Sequence, residues 1–504
     1  MPDSPSDSAG HRRWWILAVL CLGALLVVVA NMGLNVALPS LGHDLDAGTT
    51  SLAWIVDSYV LCFAGLLLPA GALGDRFGRK ATLQLGLLIF LAAAVLGAYS
   101  RHTWQLITAR AVMGVGAALV TPGTLSILTH VFPPAERARA IGIWAAAAGG
   151  SVAISLTWSG LMLQHFWWGS IFLGMAGVAG LSLIAGHFVL PESKPPGSAR
   201  LDPAGAVFSI VGVTGLLYGF IQAPDYGWTS TRVLTGFVAG VAGLAVFGAI
   251  ESRSAHPMLD PRFFRRRGFS AGSLSIAAAY FALFGMYFLL TQYLQFVRGY
   301  PPLPAGLCAL PAGLAQFVIA TAGKPLVARY GIRTVLAGGL VASTAGLLVL
   351  ATSGTTTSPW TLEIGLALTG AGIGLTMPPA TEAIMSSLPP ERAGVGSAVN
   401  NLVRELGGAF GIGLLGSITL LCYQRQLTDR VGRPPGSAGE GLAQAFAAGG
   451  GADSTIGAAA RQAYTAGLDL AMIAGAAVVL LCAIAAYFAV PRKEFAPVTS
   501  PAGS

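Results

Sequence analysis

Gly71-Ala72-Leu73-Gly74-Asp75-Arg76-Phe77-Gly78-Arg79-Lys80 is a short charged stretch between two apolar runs, 52–73 and 81–99. Each run has about the 20 residues needed to cross roughly 30 Å of hydrocarbon, so the stretch is a turn at a membrane surface. Its glycines permit a tight reversal of the chain. Arg76, Arg79 and Lys80 suit the anionic inner face of a membrane. Asp75 can pair with a cation or sit at the positive end of a helix.

Similar apolar runs fill most of the chain on either side. Of 504 residues, 54% are hydrophobic and 10% charged, and the mean hydropathy is +0.69. Soluble domains carry about 25% charged residues, so this composition cannot cover a water-facing surface. The runs predict helical spans near 14–38, 52–73, 81–99, 104–129, 138–163, 167–190, 204–223, 232–250, 268–297, 303–328, 333–352, 359–386, 393–420 and 465–490. The fold class is therefore an all-α polytopic membrane protein with fourteen spans. The run from Trp14 lacks a small-residue cleavage site and reads as a retained first helix. The net charge of +8 falls between the runs rather than along one face, which speaks against nucleic acid. Cys21, Cys62, Cys308, Cys422 and Cys482 lie in or beside apolar runs without CxxC pairs, so they read as packing residues. No metal site or cofactor is expected.

Basic residues orient the chain. With both termini inside, twenty Lys and Arg fall in inner segments: Arg12, Arg13, Arg76, Arg79, Lys80, Arg137, Arg139, Lys194, Arg200, Arg253, Arg262, Arg265, Arg266, Arg267, Lys324, Arg329, Arg333, Arg392, Arg492 and Lys493. Seven fall outside, four of them in one long loop at 421–463. This bias predicts cytoplasmic termini. A repeat is also visible. Thr121-Pro122-Gly123-Thr124, then Pro133-Pro134 and Glu136-Arg137, is echoed by Met377-Pro378-Pro379-Ala380-Thr381, then Pro389-Pro390 and Glu391-Arg392, at an offset of 256. Gly71–Lys80 is echoed by Lys324–Arg333 at an offset of 253. The offsets map six spans onto six and leave two inserted between them, as in transporters built from parallel repeats. The expected organisation is a tail 1–13, a six-helix bundle 14–190, a linker 191–267 with two inserted helices, a second bundle 268–490 and a tail 491–504.

The decapeptide that begins at Gly71 matches the signature loop of the major facilitator superfamily at every position. In that family the loop latches the cytoplasmic gate, which implies that role for Gly71, Asp75, Arg76, Gly78, Arg79 and Lys80. Arg110-Ala111-Val112-Met113-Gly114-Val115-Gly116-Ala117-Ala118 resembles the fourth-helix motif of its proton-coupled drug antiporters. Asn35-Val36-Ala37-Leu38-Pro39, Trp54-Ile55-Val56-Asp57-Ser58-Tyr59 and Thr291-Gln292-Tyr293-Leu294-Gln295 resemble the fourteen-helix, EmrB/QacA-like group. Two departures stand out. Ala30 occupies a position that is acidic in many relatives, and Ser155-Leu156-Thr157-Trp158-Ser159-Gly160 replaces a Gly-Pro kink in the fifth span.

Ionisable residues inside spans are expensive and mark functional sites. Asp57, Arg110, Glu382, Arg404 and Glu405 are therefore the candidates for proton coupling, with Asp57 and Arg110 placed to pair. Asp57 and Asp469 also read as capping or interfacial residues, and Arg110 and Glu382 as side chains reaching to the surface. Arg404 and Glu405 are adjacent, about 100° apart around a helix, and should not bond each other. Asn31, Asn35, Trp54, Tyr59, Gln292, Tyr293 and Gln295 are candidates for a substrate path, or for packing and interface anchoring. Asn400 and Asn401 have the same two readings. The function expected is export of hydrophobic or amphipathic small molecules, such as drugs or antibiotics, by proton antiport. A monomer in a bacterial plasma membrane is expected, with substrate, protons and lipid as its partners. The alternatives are a metabolite carrier with another coupling mode and a polytopic membrane enzyme. The 421–463 loop has no histidine or acidic cluster to serve an enzyme, and no GxxxxGK[ST] loop serves an ATP-driven pump.

Overall fold

The computed structural model describes residues 5–47, 49–193, 202–254, 257–389, 392–432, 438–449, 451 and 454–490. Lys194, Arg200, Pro390, Glu391, Arg433, Arg492, Lys493 and the tail 491–504 lie outside the described residues, as do the side chains of Asn35 and Lys324. Among the described residues all regular structure is helical. That is the expected outcome in hydrocarbon, where a helix satisfies each backbone N–H and C=O within one segment.

The first half comprises α1 (Pro5–Met32), α2 (Leu38–Asp44), α3 (Thr49–Phe77), α4 (Arg79–Ala98), α5 (Thr103–Val131), α6 (Pro134–His165) and α7 (Gly169–Val189). Two inserted helices follow, α8 (Pro203–Tyr226) and α9 (Thr231–Arg253). The second half comprises α10 (Arg267–Gln292), α11 (Pro302–Leu307), α12 (Leu310–Leu350), α13 (Pro359–Ser386), α14 (Ala393–Val431), α15 (Leu442–Gly449) and α16 (Thr455–Ala489). Among the described residues thirteen segments are long and apolar enough to cross a membrane, two of them in the stretch Leu303–Leu350. α6, 32 residues long, falls outside that set; it packs against helices of both halves, and counting it as a span gives fourteen.

The repeat read from the sequence has a backbone counterpart. Gly78, between α3 and α4, has φ 113°, and Gly331, 253 residues later, has φ 78° and breaks α12 into two helices. Both conformations lie in the region that glycine enters without strain. Each half thus contains six membrane helices. The halves meet along α6 with α12 and α13, and along α3 and α5 with α14. α8 packs on both α3 and α14, so the inserted pair covers one side of this seam. α8 and α9 approach through glycines: a Cβ on Gly215 would lie 2.6 Å from the Gly240 nitrogen. Small residues allow such backbone contact where water supplies no driving force.

Three expectations need correction. The long open loop at 421–463 is mostly helix, because α14 continues to Val431, α15 occupies Leu442–Gly449 and α16 starts at Thr455 rather than 465. Tyr423 anchors the intervening turn, its hydroxyl donating to the Ala438 oxygen at 2.8 Å. The first span is not one α-helix to residue 38. It tightens into a 3-10 turn at Gly33–Ala37, where a Cβ on Gly33 would meet the Ser159 hydroxyl at 2.7 Å. α3 reaches Phe77, so Asp75 and Arg76 lie on its last turn rather than in a free loop.

Candidate functional site

The buried polar groups gather at the seam between halves. Arg110 of α5 is fully buried. Its Nε donates to the Ile55 oxygen of α3 at 3.0 Å and one terminal nitrogen donates to the Ala30 oxygen of α1 at 2.8 Å. Its guanidinium lies 4.3 Å from the centre of the Tyr59 ring, a favourable placing for a desolvated cation. Tyr59 in turn donates to the Val27 oxygen at 3.0 Å. The motif glycines make this geometry possible. A Cβ on Gly114 would lie 2.5 Å from the Tyr59 backbone oxygen, and one on Gly116 would lie 2.8 Å from the Gly86 backbone oxygen of α4.

Across the seam, α14 presents Asn400, Asn401, Arg404 and Glu405, all buried. Arg404 donates to Asn401 Oδ1 at 3.0 Å and lies 4.5 Å from the centre of the Tyr280 ring on α10. Glu405 accepts a hydrogen bond from Asn31 Nδ2 of α1 at 3.4 Å, a bond that joins the two halves. Among the described residues Arg404 and Glu405 form no direct ion pair, as adjacent helical positions require.

A second junction lies at the end of the molecule that carries the basic turn. Asp75 points across the seam, where its two carboxylate oxygens accept from the backbone nitrogens of Gly394 at 3.1 Å and Val395 at 3.3 Å. These nitrogens belong to the first turn of α14, whose N–H groups lack helical partners and favour a negative charge. Arg79 completes the arrangement with a buried ion pair to Asp75 at 3.0 Å. Arg79 also donates to the Ser193 hydroxyl at 3.4 Å, and Lys80 donates to the His187 oxygen at 2.8 Å. Gly71 allows the close approach, since a Cβ there would lie 2.8 Å from the Gly394 oxygen. Arg76 turns out over Phe77.

The chain matches the description Major Facilitator Superfamily over residues 20–412. The chain belongs to the major facilitator superfamily. Among its curated relatives, the puromycin resistance protein pur8 of Streptomyces alboniger is 34% identical over 449 residues, covering 86% of this chain and 87% of its own length. The multidrug resistance protein Stp of Mycobacterium tuberculosis is 34% identical over 398 residues, covering 79% and 74%. The multidrug efflux pump LfrA of Mycolicibacterium smegmatis is 31% identical, covering 88% and 89%. The fold agrees with that of the human organic anion transporter MFSD10, at a TM-score of 0.60 and 15% identity, over 93% of this chain and 99% of that one.

In this facilitator chain, a multi-pass membrane protein, the site residues expected from sequence divide into several groups. Asn31, Tyr59, Arg110, Arg404 and Glu405 come together at the seam. Gly71, Asp75, Arg79 and Lys80 come together at the basic end. Asp57 does not join Arg110. Ile55 and Tyr59 share the face of α3 that meets α5, whereas Asp57 is about 200° round the helix from each. Asp57 instead lies on the side of Trp54, whose ring is 6.5 Å from Tyr218 of α8. Tyr293 lies apart, donating to the Gly354 oxygen at 2.7 Å, and a π-turn at Tyr293–Val297 carries Gln295. Gln292 ends α10 immediately before that turn. Asn35 has no described side chain. Glu382 is separate again, on α13 near the basic end, with a buried Oε2 that has no hydrogen-bond partner among the described residues.

Sequence reasoning missed Tyr280 and the Ala30 carbonyl. A tyrosine in an apolar run carries no signal of its own, and a backbone oxygen carries none at all. The one available clue was that a membrane-embedded arginine must find acceptors or an aromatic face. The missing Gly-Pro of the fifth span also has its counterpart: α6 runs unbroken from Pro134 to His165, and Ser155 donates to the Val29 oxygen at 3.4 Å.

Proposed function

We propose that this chain exports hydrophobic or amphipathic small molecules, drugs or antibiotics among them, across a bacterial plasma membrane by proton antiport. It works as a monomer, with its basic end and both termini in the cytoplasm. The observation that carries the coupling is the Glu405 carboxylate, buried at the seam with a hydrogen bond from Asn31 of the other half and the Arg404 cation beside it. The resistance and efflux functions named for pur8, Stp and LfrA support the substrate class.

The chemistry follows from charge. An ionised Glu405 accepts from Asn31 and balances Arg404. A proton on Glu405 cancels that charge, weakens the bond between halves and leaves Arg404 to Asn401 and the Tyr280 face. A cationic amphipathic substrate competes for the same ionised carboxylate, so the site holds a proton or the substrate, and not both. Each proton returning down a 100 mV potential releases about 2.3 kcal/mol for export. Asp57 lies against the inserted helices, and Ala30 offers no carboxyl, so Glu405 is the coupling group of the seam.

The test uses inverted membrane vesicles energised with a proton gradient and a pH-sensitive dye. Addition of ethidium or another exported compound should release protons from the parent, and Glu405→Gln at equal membrane level should release none. Parent-like proton release by Glu405→Gln would refute this assignment. Absence of any proton response in a parent that confers resistance would replace antiport by another coupling mode.

A further inference from the structure

The two halves close the basic end with different chemistry. At the 253-residue offset, Gly78 and Lys80 of the first turn correspond to Gly331 and Arg333 of the second. Asp75 and Arg79, the two partners of the buried ion pair, correspond to Ala328 and Ile332. The second turn therefore has no carboxylate with which to hold the first turn of α6, the helix that corresponds by repeat to α14. A carboxylate is nevertheless present on that side of the seam. Glu382 of α13 corresponds, at the 256-residue offset, to the hydroxyl residue Ser126 of α5.

Glu382 faces α6. Its strongest charged neighbour is Arg137, on the first turn of α6, and α13 and α6 are in direct contact. Among the described residues, Glu382 Oε2 and Arg137 Nε are both buried without a hydrogen-bond partner. The adjacent acid, Glu136, is turned the other way, toward Arg13 at 3.9 Å. Glu382 and Arg137 are half-buried and form no ion pair with each other among the described residues. A buried carboxylate oxygen and guanidinium nitrogen left unbonded are costly, so the two side chains gain by closing on each other. We propose that Glu382 and Arg137 form a second clasp between the halves, which replaces on the α6–α13 side the Asp75–Arg79 clasp of the α3–α14 side and which makes and breaks as the basic end closes and opens. This gives Glu382 a positioning role in the transport cycle in place of proton coupling, and it rests on the transporter reading above.

The test reads the opening of that end without any substrate. Gly323 of α12 is buried, yet a Cβ there would meet nothing within 4 Å. It lies one turn beyond Ala320, whose oxygen is 2.9 Å from a Cβ built on Gly142 of α6. Gly323→Cys, in a chain whose five native cysteines are serine, should report access to the seam. A polar maleimide is supplied on both membrane faces, so the readout does not depend on orientation. Glu382→Gln and Arg137→Gln should each speed labelling by about threefold or more, the size expected when contacting partners are coupled. The reversed pair, Glu382→Arg with Arg137→Glu, should bring the rate back to within about twofold of the parent. Parent-like labelling in both single variants would overturn the clasp, as would a reversed pair that labels as fast as the singles. Failure of drug efflux is read separately, in the dye assay.

Discussion

Arg110 and Arg404 bring the same guanidinium into the two halves, and each lies over a tyrosine ring, 4.3 Å from Tyr59 and 4.5 Å from Tyr280. Their other partners differ in kind. Arg110 binds two backbone oxygens, Ala30 and Ile55, on two separate helices. Arg404 binds a side chain of its own helix, Asn401, and has Glu405 next in sequence. A backbone oxygen cannot be protonated or rotate away, so Arg110 ties α1, α3 and α5 into one rigid unit. The amide and carboxylate beside Arg404 can exchange partners, so the proposed antiport assigns that cation to the part that switches. On the proposed mechanism, one arginine builds the half and the other answers to the proton.

This contrast is most exposed by Arg110→Lys. Lysine keeps the charge but lacks the planar fork that reaches two oxygens at once. Losing a buried bond to a charged group costs about 1.5–3 kcal/mol, and the loss should fall on assembly as well as turnover. Transport per molecule should drop by about tenfold or more, with a lower melting temperature in detergent. Normal transport with an unchanged melting temperature would break the structural reading of Arg110. Arg404→Lys should have a smaller effect on stability, since its neutral partner Asn401 lies on the same helix. The expected result is a transport loss of about threefold with an unchanged melting temperature and a shifted pH profile of proton release. An unshifted profile would remove Arg404 from the switching part.

The smallest effects compare the two rings. Tyr59→Phe removes the bond to the Val27 oxygen and should cost about 1 kcal/mol of stability, while keeping the aromatic face. Tyr280→Phe removes a buried hydroxyl that has no hydrogen-bond partner among the described residues and should be neutral or slightly stabilising. Equal costs in thermal unfolding would erase the distinction between the two arginine sites.

Much of this site was legible before any coordinates. An arginine or glutamate in an apolar run is conspicuous because burying it is costly, which singled out Arg110, Arg404 and Glu405. The basic turn was legible because glycine spacing and charge have local meanings. Partners were less legible. Asp57 was expected to pair with Arg110, and its place on the α8 side of α3 depends on which face each helix turns to its neighbours. The helical extension of α14 past residue 420 was hidden because 421–463 lacks the apolar density by which spans are recognised.

The sequence by itself determined the membrane class, the all-helical backbone, the internal echoes at offsets of 253 and 256 and the residues too polar for their surroundings. These are consequences of composition and of short-range pattern, which lipid and backbone hydrogen bonding read directly. Only the tertiary structure decided that Asp75 reaches Gly394 and Val395, that Asn31 meets Glu405 and that Arg110 is held by carbonyl oxygens. Those contacts join residues up to 374 positions apart. They arise from glycine-lined helix faces packing at specific rotations, and no local property of either partner encodes them.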